Sequence, residues 1–114
     1  MDAVLELLRN NYVVVEGKHD VEMLGKLGIS AIPYERLMRN HIEFDKGKTI
    51  YLLMDDDNGG YDKEDKALAF LIERGYNVNT DLGRHLLKVL KITSVEQAYQ
   101  PIMDILEKGS VRRK

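Results

Sequence analysis

The fold is decided by two apolar runs that each end in acid, Tyr12-Val13-Val14-Val15-Glu16-Gly17-Lys18-His19-Asp20 and Ile50-Tyr51-Leu52-Leu53-Met54-Asp55-Asp56-Asp57-Asn58-Gly59-Gly60. Short apolar runs that are rich in β-branched and aromatic residues, and that lead into helical patterns, are typical of buried parallel strands. An open α/β sheet builds its binding site at the carboxyl ends of such strands. The acids that follow the two runs are therefore predicted to lie at that edge.

Three carboxylates are predicted to converge there if the two strands are neighbours. Glu16 ends the first run, and Asp55 and Asp57 stand two residues apart, so an extended segment would place both on one side. Like-charge repulsion makes such a cluster costly unless a cation fills it, and carboxylate oxygens suit Mg²⁺. Glu16, Asp55 and Asp57 are therefore predicted to hold a magnesium ion, with Mn²⁺ as a substitute.

Other interpretations of these acids stay open. Glu16 alone would also suit the start of the following helix, where acids are favoured, and the acids after the second run would also suit a solvated turn. An EF-hand loop is excluded, because Gly59 stands at the fifth position and Lys66 at the twelfth, where a bidentate Glu is required.

Strand and helix patterns alternate along the rest of the chain. Helices are predicted at 2–9 with Asp2 as cap, from Asp20 to Gly28, at 34–42, from Asp62 to Arg74 and from Thr80 or Asp81, and strands at 12–16, 29–33, 49–54 and 76–79. Ser94 with Gln97 predicts a capping box for a last helical segment, which Pro101 must kink or divide. The crossovers are long enough for parallel connections. The predicted fold is a three-layer, Rossmann-like α/β domain with a mainly parallel four-stranded sheet and helices on both faces.

Composition places this fold in a single domain. The chain has 114 residues, no cysteine and a formal net charge of −2, which excludes disulfides and thiolate zinc sites and argues weakly against a nucleic-acid partner. We expect one domain over 1–109, with its motif core at about 11–92, and a disordered basic tail at 110–114. No run of 18 apolar residues occurs, so membrane insertion is not expected and a cytoplasmic location is predicted.

The two acidic motifs closely resemble those of the Toprim domain family. The pattern is strand-Glu16-Gly17-x-x-Asp20 followed by strand-Asp55-x-Asp57-x-x-Gly60. The family is shared by topoisomerases, bacterial primases, the 5S ribosomal RNA maturation nuclease and overcoming-lysogenization-defect nucleases. The segment around Glu16 is most similar to the maturation nuclease and to small stand-alone members.

The resemblance implies a Toprim fold and phosphodiester chemistry on RNA or DNA. It implies that Glu16 is the general acid or base and that Asp55 and Asp57 are magnesium ligands. The motifs supply four supporting or phosphate-binding candidates: Gly17, Lys18, Asp20 and Gly60. Many family members place Glu directly after the motif glycine. In this chain Tyr61 stands at that position, so the loop departs there from the family pattern.

Two function classes follow from these motifs. The leading hypothesis is a magnesium-dependent nuclease of the Toprim type, and the alternative is a non-catalytic, metal-dependent nucleic-acid-binding module or a subunit of a repair, replication or RNA-processing assembly. A receiver-like domain is a third interpretation, but receivers place paired acids after the first strand and a single Asp after the third, the reverse of the order found here.

Two further surfaces are suggested by helical spacing. Arg84, Lys88 and Lys91 recur opposite an apolar stripe, which would suit either a nucleic-acid backbone or a solvated helix face. An apolar patch at Ile102, Ile105 and Leu106 is a candidate contact for a homodimer or for a larger nucleic-acid-processing complex.

Overall fold

The protein is an α/β domain built on a parallel four-stranded sheet. A computed structural model describes residues 1–112, with side chains through residue 108. The strands are β1 (Tyr12–Val15), β2 (Ala31–Pro33), β3 (Thr49–Leu53) and β4 (Asn77–Asn79). They lie in the order β2-β1-β3-β4, and every neighbouring pair is parallel. The predicted fold class is therefore confirmed.

Helices cover both faces of the sheet. Within the described residues they are α1 (Asp2–Asn10), α2 (Lys18–Gly25), α3 (Tyr34–Arg39), α4 (Asn58–Glu73), α5 (Asp81–Leu90), a 3₁₀ helix (Val95–Gln97) and α6 (Tyr99–Arg112). None of these helices combines the length and the apolar character needed to cross a membrane.

Two hydrophobic clusters fill the space between the sheet and its helices. Successive residues of a strand face opposite sides, so Val13 and Val15 pack with α1, α2, α5 and α6, whereas Val14 and Leu52 pack with α3 and α4. All four of these side chains are essentially inaccessible to solvent. Burial on both faces explains why the first run is apolar at every position rather than at alternate ones.

Glycine follows two of the helices where the backbone turns. Gly28 and Gly75 have positive φ angles of 75° and 83°, a conformation that costs glycine little and favours it after a helix. The expected start of a helix at Thr80 or Asp81 is also confirmed, because α5 begins at Asp81. Two boundaries move inward, since β2 starts at Ala31 and α3 ends where Asn40 turns extended. Helix α2 begins earlier than predicted, at Lys18 instead of Asp20.

Three predicted helix caps are wrong. Met1, not Asp2, precedes the first turn of α1. Helix α4 begins at Asn58 rather than at Asp62, because the Asp57 carboxylate accepts a hydrogen bond from the backbone N–H of Gly60 at 2.7 Å. Ser94 makes no side-chain cap, because the chain there forms a 3₁₀ turn instead of an α-helix.

The last helical segment is divided rather than kinked. The 3₁₀ turn ends before Ala98, and Pro101 lies in the first turn of α6, where a missing N–H costs no helical hydrogen bond. Ile102 of the predicted apolar patch is buried, and Ile105 is exposed. Helix α6 continues past 109, where the domain was predicted to end, and the final two residues of the predicted tail lie outside the described residues.

Candidate active site

The register of the two central strands brings Glu16 and Asp55 together. Val15 of β1 pairs with Leu53 of β3, so the residues that follow each strand emerge side by side at the carboxyl edge. The backbone N–H of Asp55 donates a hydrogen bond to Glu16 Oε2 at 2.9 Å. The strand order also reverses between β1 and β3, the position where open α/β sheets form a crevice. We call these two residues the carboxylate pair.

The pKa values of the two members of the carboxylate pair are shifted in opposite directions from their ordinary values. Burial, a hydrogen bond with Glu16 and the nearby negative charge raise the pKa of Asp55 to about 7. Burial alone would raise the pKa of Glu16 too, but hydrogen bonds from Asp55 and Lys63 outweigh it and hold that pKa below its ordinary value. Near neutral pH, Glu16 is therefore ionised while Asp55 readily holds a proton.

Asp57 has a different role from the carboxylate pair. Its Oδ1 accepts the Gly60 N–H and so caps α4. Across the described residues, no group of three or more Asp, Glu, His or Cys side chains is arranged to hold a metal ion. The structure thus brings together two of the three predicted ligands. Two carboxylates are nevertheless enough for Mg²⁺, which commonly takes one or two from the protein and completes its shell with water and substrate phosphates.

The supporting residues of the first motif surround the carboxylate pair. Gly17 precedes α2, and its N–H donates to Asp20 Oδ2 at 3.1 Å. Asp20 is buried, and burial together with the charge of Glu16 raises its pKa despite that hydrogen bond. Lys18 is exposed at the rim. The first motif therefore supplies one buried acid, whose charge acts on both members of the pair, and one exposed cation.

The tight turn after β3 depends on Gly60. A Cβ atom placed on Gly60 would lie 2.0 Å from the backbone oxygen of Asp55. No side chain fits at that distance, so only glycine allows the first turn of α4 to approach the end of β3 so closely. Gly60 thereby holds the Asp55 backbone against Glu16.

Two cations of the site were not predicted to belong to it. Lys63 Nζ lies 3.3 Å from Glu16 Oε1. Arg84 Nη1 donates to the backbone oxygen of Asp55 at 2.9 Å, and its Nη2 lies 3.2 Å from Glu64 Oε1. Helical spacing had placed Arg84 on a face directed at solvent or nucleic acid, yet only 21% of its side chain is exposed.

A glycine is the sequence signal that could have identified Arg84. A Cβ atom on Gly83 would lie 2.6 Å from the backbone oxygen of Leu52, so α5 touches the β3 backbone there. Glycine inside an otherwise amphipathic helix often marks such a close approach. The approach places Arg84 over the Tyr61 ring, with the guanidinium carbon 4.5 Å from the ring centroid, and the Tyr61 hydroxyl donates to Asp56.

The fold and the site together define an α/β protein with a carboxylate pair at the point where its strand order reverses. A solved structure of a protein from Aquifex aeolicus has a similar fold, with a TM-score of 0.68 and 23% identity, over 85% of this chain and 96% of that chain. This likeness bears on the fold alone. No family model matches the chain, and the comparison with curated proteins finds no match.

Proposed function

We propose that this protein is a magnesium-dependent enzyme that cleaves phosphodiester bonds in RNA or DNA, a nuclease of the Toprim type. The observation that supports this most directly is the carboxylate pair, Glu16 and Asp55, at the carboxyl edge of two neighbouring parallel strands. Acids whose pKa values are shifted, in such a crevice, are typical of catalytic sites.

The residues of the site have distinct roles in this proposal. Glu16, kept ionised by Lys63 and by the Asp55 N–H, accepts the proton of the attacking oxygen. Asp55 and Glu16 would hold the divalent ion, and Lys18 would contact a phosphate as a point charge. When bound, Mg²⁺ supplies charge stabilisation at the phosphate oxygens, and Mn²⁺ would serve in the same way.

Substitution of Glu16 tests the catalytic role. Glu16→Gln keeps an oxygen that can accept the Asp55 N–H but removes the base, so cleavage should slow by about two to four orders of magnitude. The assay incubates pure protein with labelled single-stranded and duplex RNA and DNA, with Mg²⁺ or Mn²⁺. Glu73→Gln is the matched control, because this exposed residue ends α4 far from the site. Cleavage by Glu16→Gln at the parent rate would refute the role.

Conservative substitutions distinguish the role of Asp55 from that of Asp57. Asp55→Asn should abolish metal-dependent cleavage, and Asp65→Asn, at an exposed position on α4, is its control. Asn caps helices about as well as Asp, so Asp57→Asn leaves the start of α4 intact. If the Asp57→Asn variant also loses cleavage, Asp57 binds the ion when substrate is present. If this variant cleaves normally, Asp57 acts as a helix cap alone.

The second candidate function is a metal-dependent nucleic-acid-binding module without catalysis, working as a subunit of a larger repair, replication or RNA-processing assembly. The capping role of Asp57 favours it, because the described side chains then provide two carboxylates rather than three. The same assay distinguishes the two functions: retention of nucleic acid without any cleavage product, in either metal, supports the module. A cytoplasmic location and a homodimer remain predictions in both cases.

A further inference from the structure

Two depressions adjoin each other on the side of the sheet that carries α3. The first has a volume of about 400 Å³ and begins at Glu16 and Lys18, and the second has a volume of about 470 Å³ and ends at Arg74. Asn40, the first residue after α3, lines both. The two depressions therefore meet at Asn40, and Glu16 of the carboxylate pair lines the first of them. We call the two depressions together the α3 groove.

Cations from separate segments of the chain line the α3 groove. They are Lys18, Arg36 and Arg39 in the first depression and Lys46 and Arg74 in the second. Among the residues that the structure describes, no carboxylate oxygen lies within ion-pair distance of any of these five groups. Three acids, Glu16, Glu35 and Glu43, also line it, so cations exceed acids there although the whole chain has a net charge of −2.

Aromatic rings hold the cations of the second depression in place. The guanidinium carbon of Arg74 lies 3.5 Å from the centroid of the Phe70 ring, and its Nη1 donates to the Phe70 backbone oxygen at 2.8 Å. Lys46 Nζ lies 5.7 Å from the centroid of the Tyr76 ring. Cation–π contacts of this kind are weakly attractive at exposed sites, so they favour these positions of the two cations.

We propose that the α3 groove binds the phosphate backbone of a single polynucleotide strand whose scissile phosphate lies at the carboxylate pair. This inference rests on the proposed function for the position of that phosphate. Each depression falls within the range of about 300–1,000 Å³ that is typical of small-ligand pockets, a size that suits nucleotide units of one strand rather than a duplex. Unpaired cations spaced along a groove are the usual way to follow such a strand.

Paired charge removals test the groove. Arg36→Gln with Arg39→Gln, the groove variant, removes two groove cations. Lys88→Gln with Lys91→Gln, the α5 variant, removes one exposed cation in α5 and one directly after it, on the other face of the sheet. Both variants lower the net charge equally. Binding to labelled single-stranded RNA, single-stranded DNA and duplex DNA is measured by anisotropy from 50 to 200 mM salt, with Ca²⁺ in place of Mg²⁺ to limit turnover.

The expected result is specific to the groove variant. Its affinity for single strands should fall about tenfold at 0.1 M salt, and the slope of log K against log salt should decrease by about 0.7 for each phosphate that the variant no longer neutralises. The α5 variant should bind like the parent. Comparison of the RNA and DNA arms shows which polymer the groove prefers.

The inference would be overturned if both variants lost affinity equally, or if the α5 variant lost more affinity than the groove variant. It would also be overturned if the parent protein bound duplex DNA more tightly than single strands and the groove variant lost as much affinity for the duplex. A parent protein that binds none of the three polymers would also overturn it. The proposed function can fail separately from the groove. If the parent protein binds through the groove but never cleaves, only the nuclease proposal is contradicted. If the parent protein cleaves and the groove variant binds with unchanged affinity, only the groove proposal is contradicted.

Discussion

Asp55 contacts the rest of the site through its backbone and its side chain together. Its N–H donates to Glu16, its backbone oxygen accepts from Arg84, and its Oδ1 accepts the N–H of Val95 at 2.8 Å. Because all three contacts are directional, the carboxyl group is held beside Glu16 before any ligand arrives. Such preorganisation lowers the cost of placing a cation or a phosphate at this point.

The raised pKa of Asp55 should make the metal-free protein less stable as the pH rises. Its pKa is about 7 in the folded chain, against an ordinary value of 3.8, so between these values the folded chain holds a proton that the unfolded chain has released. Stability therefore declines with rising pH across this window and levels off above it. Urea unfolding in EDTA at pH 5, 6, 7 and 8 measures the trend.

Neighbouring acids do not reverse this trend. The raised pKa of Asp20 acts in the same direction, whereas the lowered pKa of Glu16 contributes stability that is already complete above its ordinary value of 4.5. Asp55→Asn should show a much weaker decline from pH 5 to pH 7. The same slope in this variant and in the parent would contradict the assignment to Asp55.

Gly60 should be the least tolerant glycine of the site. Gly60→Ala places a methyl group 2.0 Å from the Asp55 backbone oxygen, and we expect a loss of about 3 kcal/mol or more in the free energy of unfolding. The neighbouring Gly59→Ala is the control, because the nearest atom to its Cβ is Asp57 Oδ1 at 3.5 Å, an ordinary contact. Similar losses in the two variants, measured by urea unfolding, would contradict the close approach.

At the scale of elements, two helices converge on the end of β3. Helix α4 starts there under the Asp57 cap, and α5 passes over the β3 backbone at Gly83. Lys63 of α4 and Arg84 of α5 reach the carboxylate pair as a result. These two cations are therefore positioned by helix packing, whereas Lys18 comes from the first acidic motif.

Gly83→Ala should push α5 away from the sheet. The added Cβ would meet Leu52 O at 2.6 Å and Leu53 Cα at 3.3 Å, and overpacking of this kind costs about 1–3 kcal/mol. Gly25→Ala in α2 is the control, since its Cβ meets nothing within 4 Å, and it should gain about 0.5–1 kcal/mol from helix propensity. Urea unfolding of both variants checks the prediction, and a neutral Gly83→Ala would contradict it.

At the scale of the whole molecule, the strand order places the site on the best-supported part of the sheet. β1 and β3 are the two central strands and are covered on both faces, while β2 and β4 form the edges. The carboxylate pair therefore emerges from the centre of the sheet. Any ligand that binds the pair should then stabilise the entire fold.

Magnesium should raise the thermal midpoint of the parent protein. At a concentration ten times its dissociation constant, an ion that binds only the folded chain adds about 1.4 kcal/mol, which shifts the midpoint of a domain of this size by about 4–6 °C. The shift should be larger at pH 8 than at pH 5, because binding needs Asp55 ionised. Asp55→Asn should lose most of it, and an equal shift in that variant would place the ion elsewhere.

Local sequence was sufficient wherever neighbours along the chain decide the structure. The continuous apolar run at Val13 to Val15 predicts a strand buried on both faces, and Gly28 is the predicted end of the second helix. The meeting of Glu16 and Asp55 was predictable too, because residues that follow neighbouring parallel strands emerge at one edge. The magnesium ligation and the Toprim membership stay predictions.

The role of Asp57 was missed for a local reason. Asp-x-x-Gly at the exit of a strand is compatible both with a metal ligand and with an N-terminal helix cap. Which of these occurs depends on where the helix begins, and a start at Asn58 with the Asp57 cap requires the close approach of Gly60 to Asp55. The spacing of residues along the sequence does not reveal how closely Gly60 approaches Asp55.

The sequence by itself determined the strands, the turns and the shared edge of Glu16 and Asp55, because backbone propensity, apolar periodicity and parallel geometry act between residues near in the chain. Only the tertiary structure decided that Arg84 and Lys63 close over the site and that cations from α2, α3 and the segments around Lys46 and Arg74 form one groove. Periodicity tells which face of a helix is polar. It does not tell what that face meets, since packing between distant segments sets the contact.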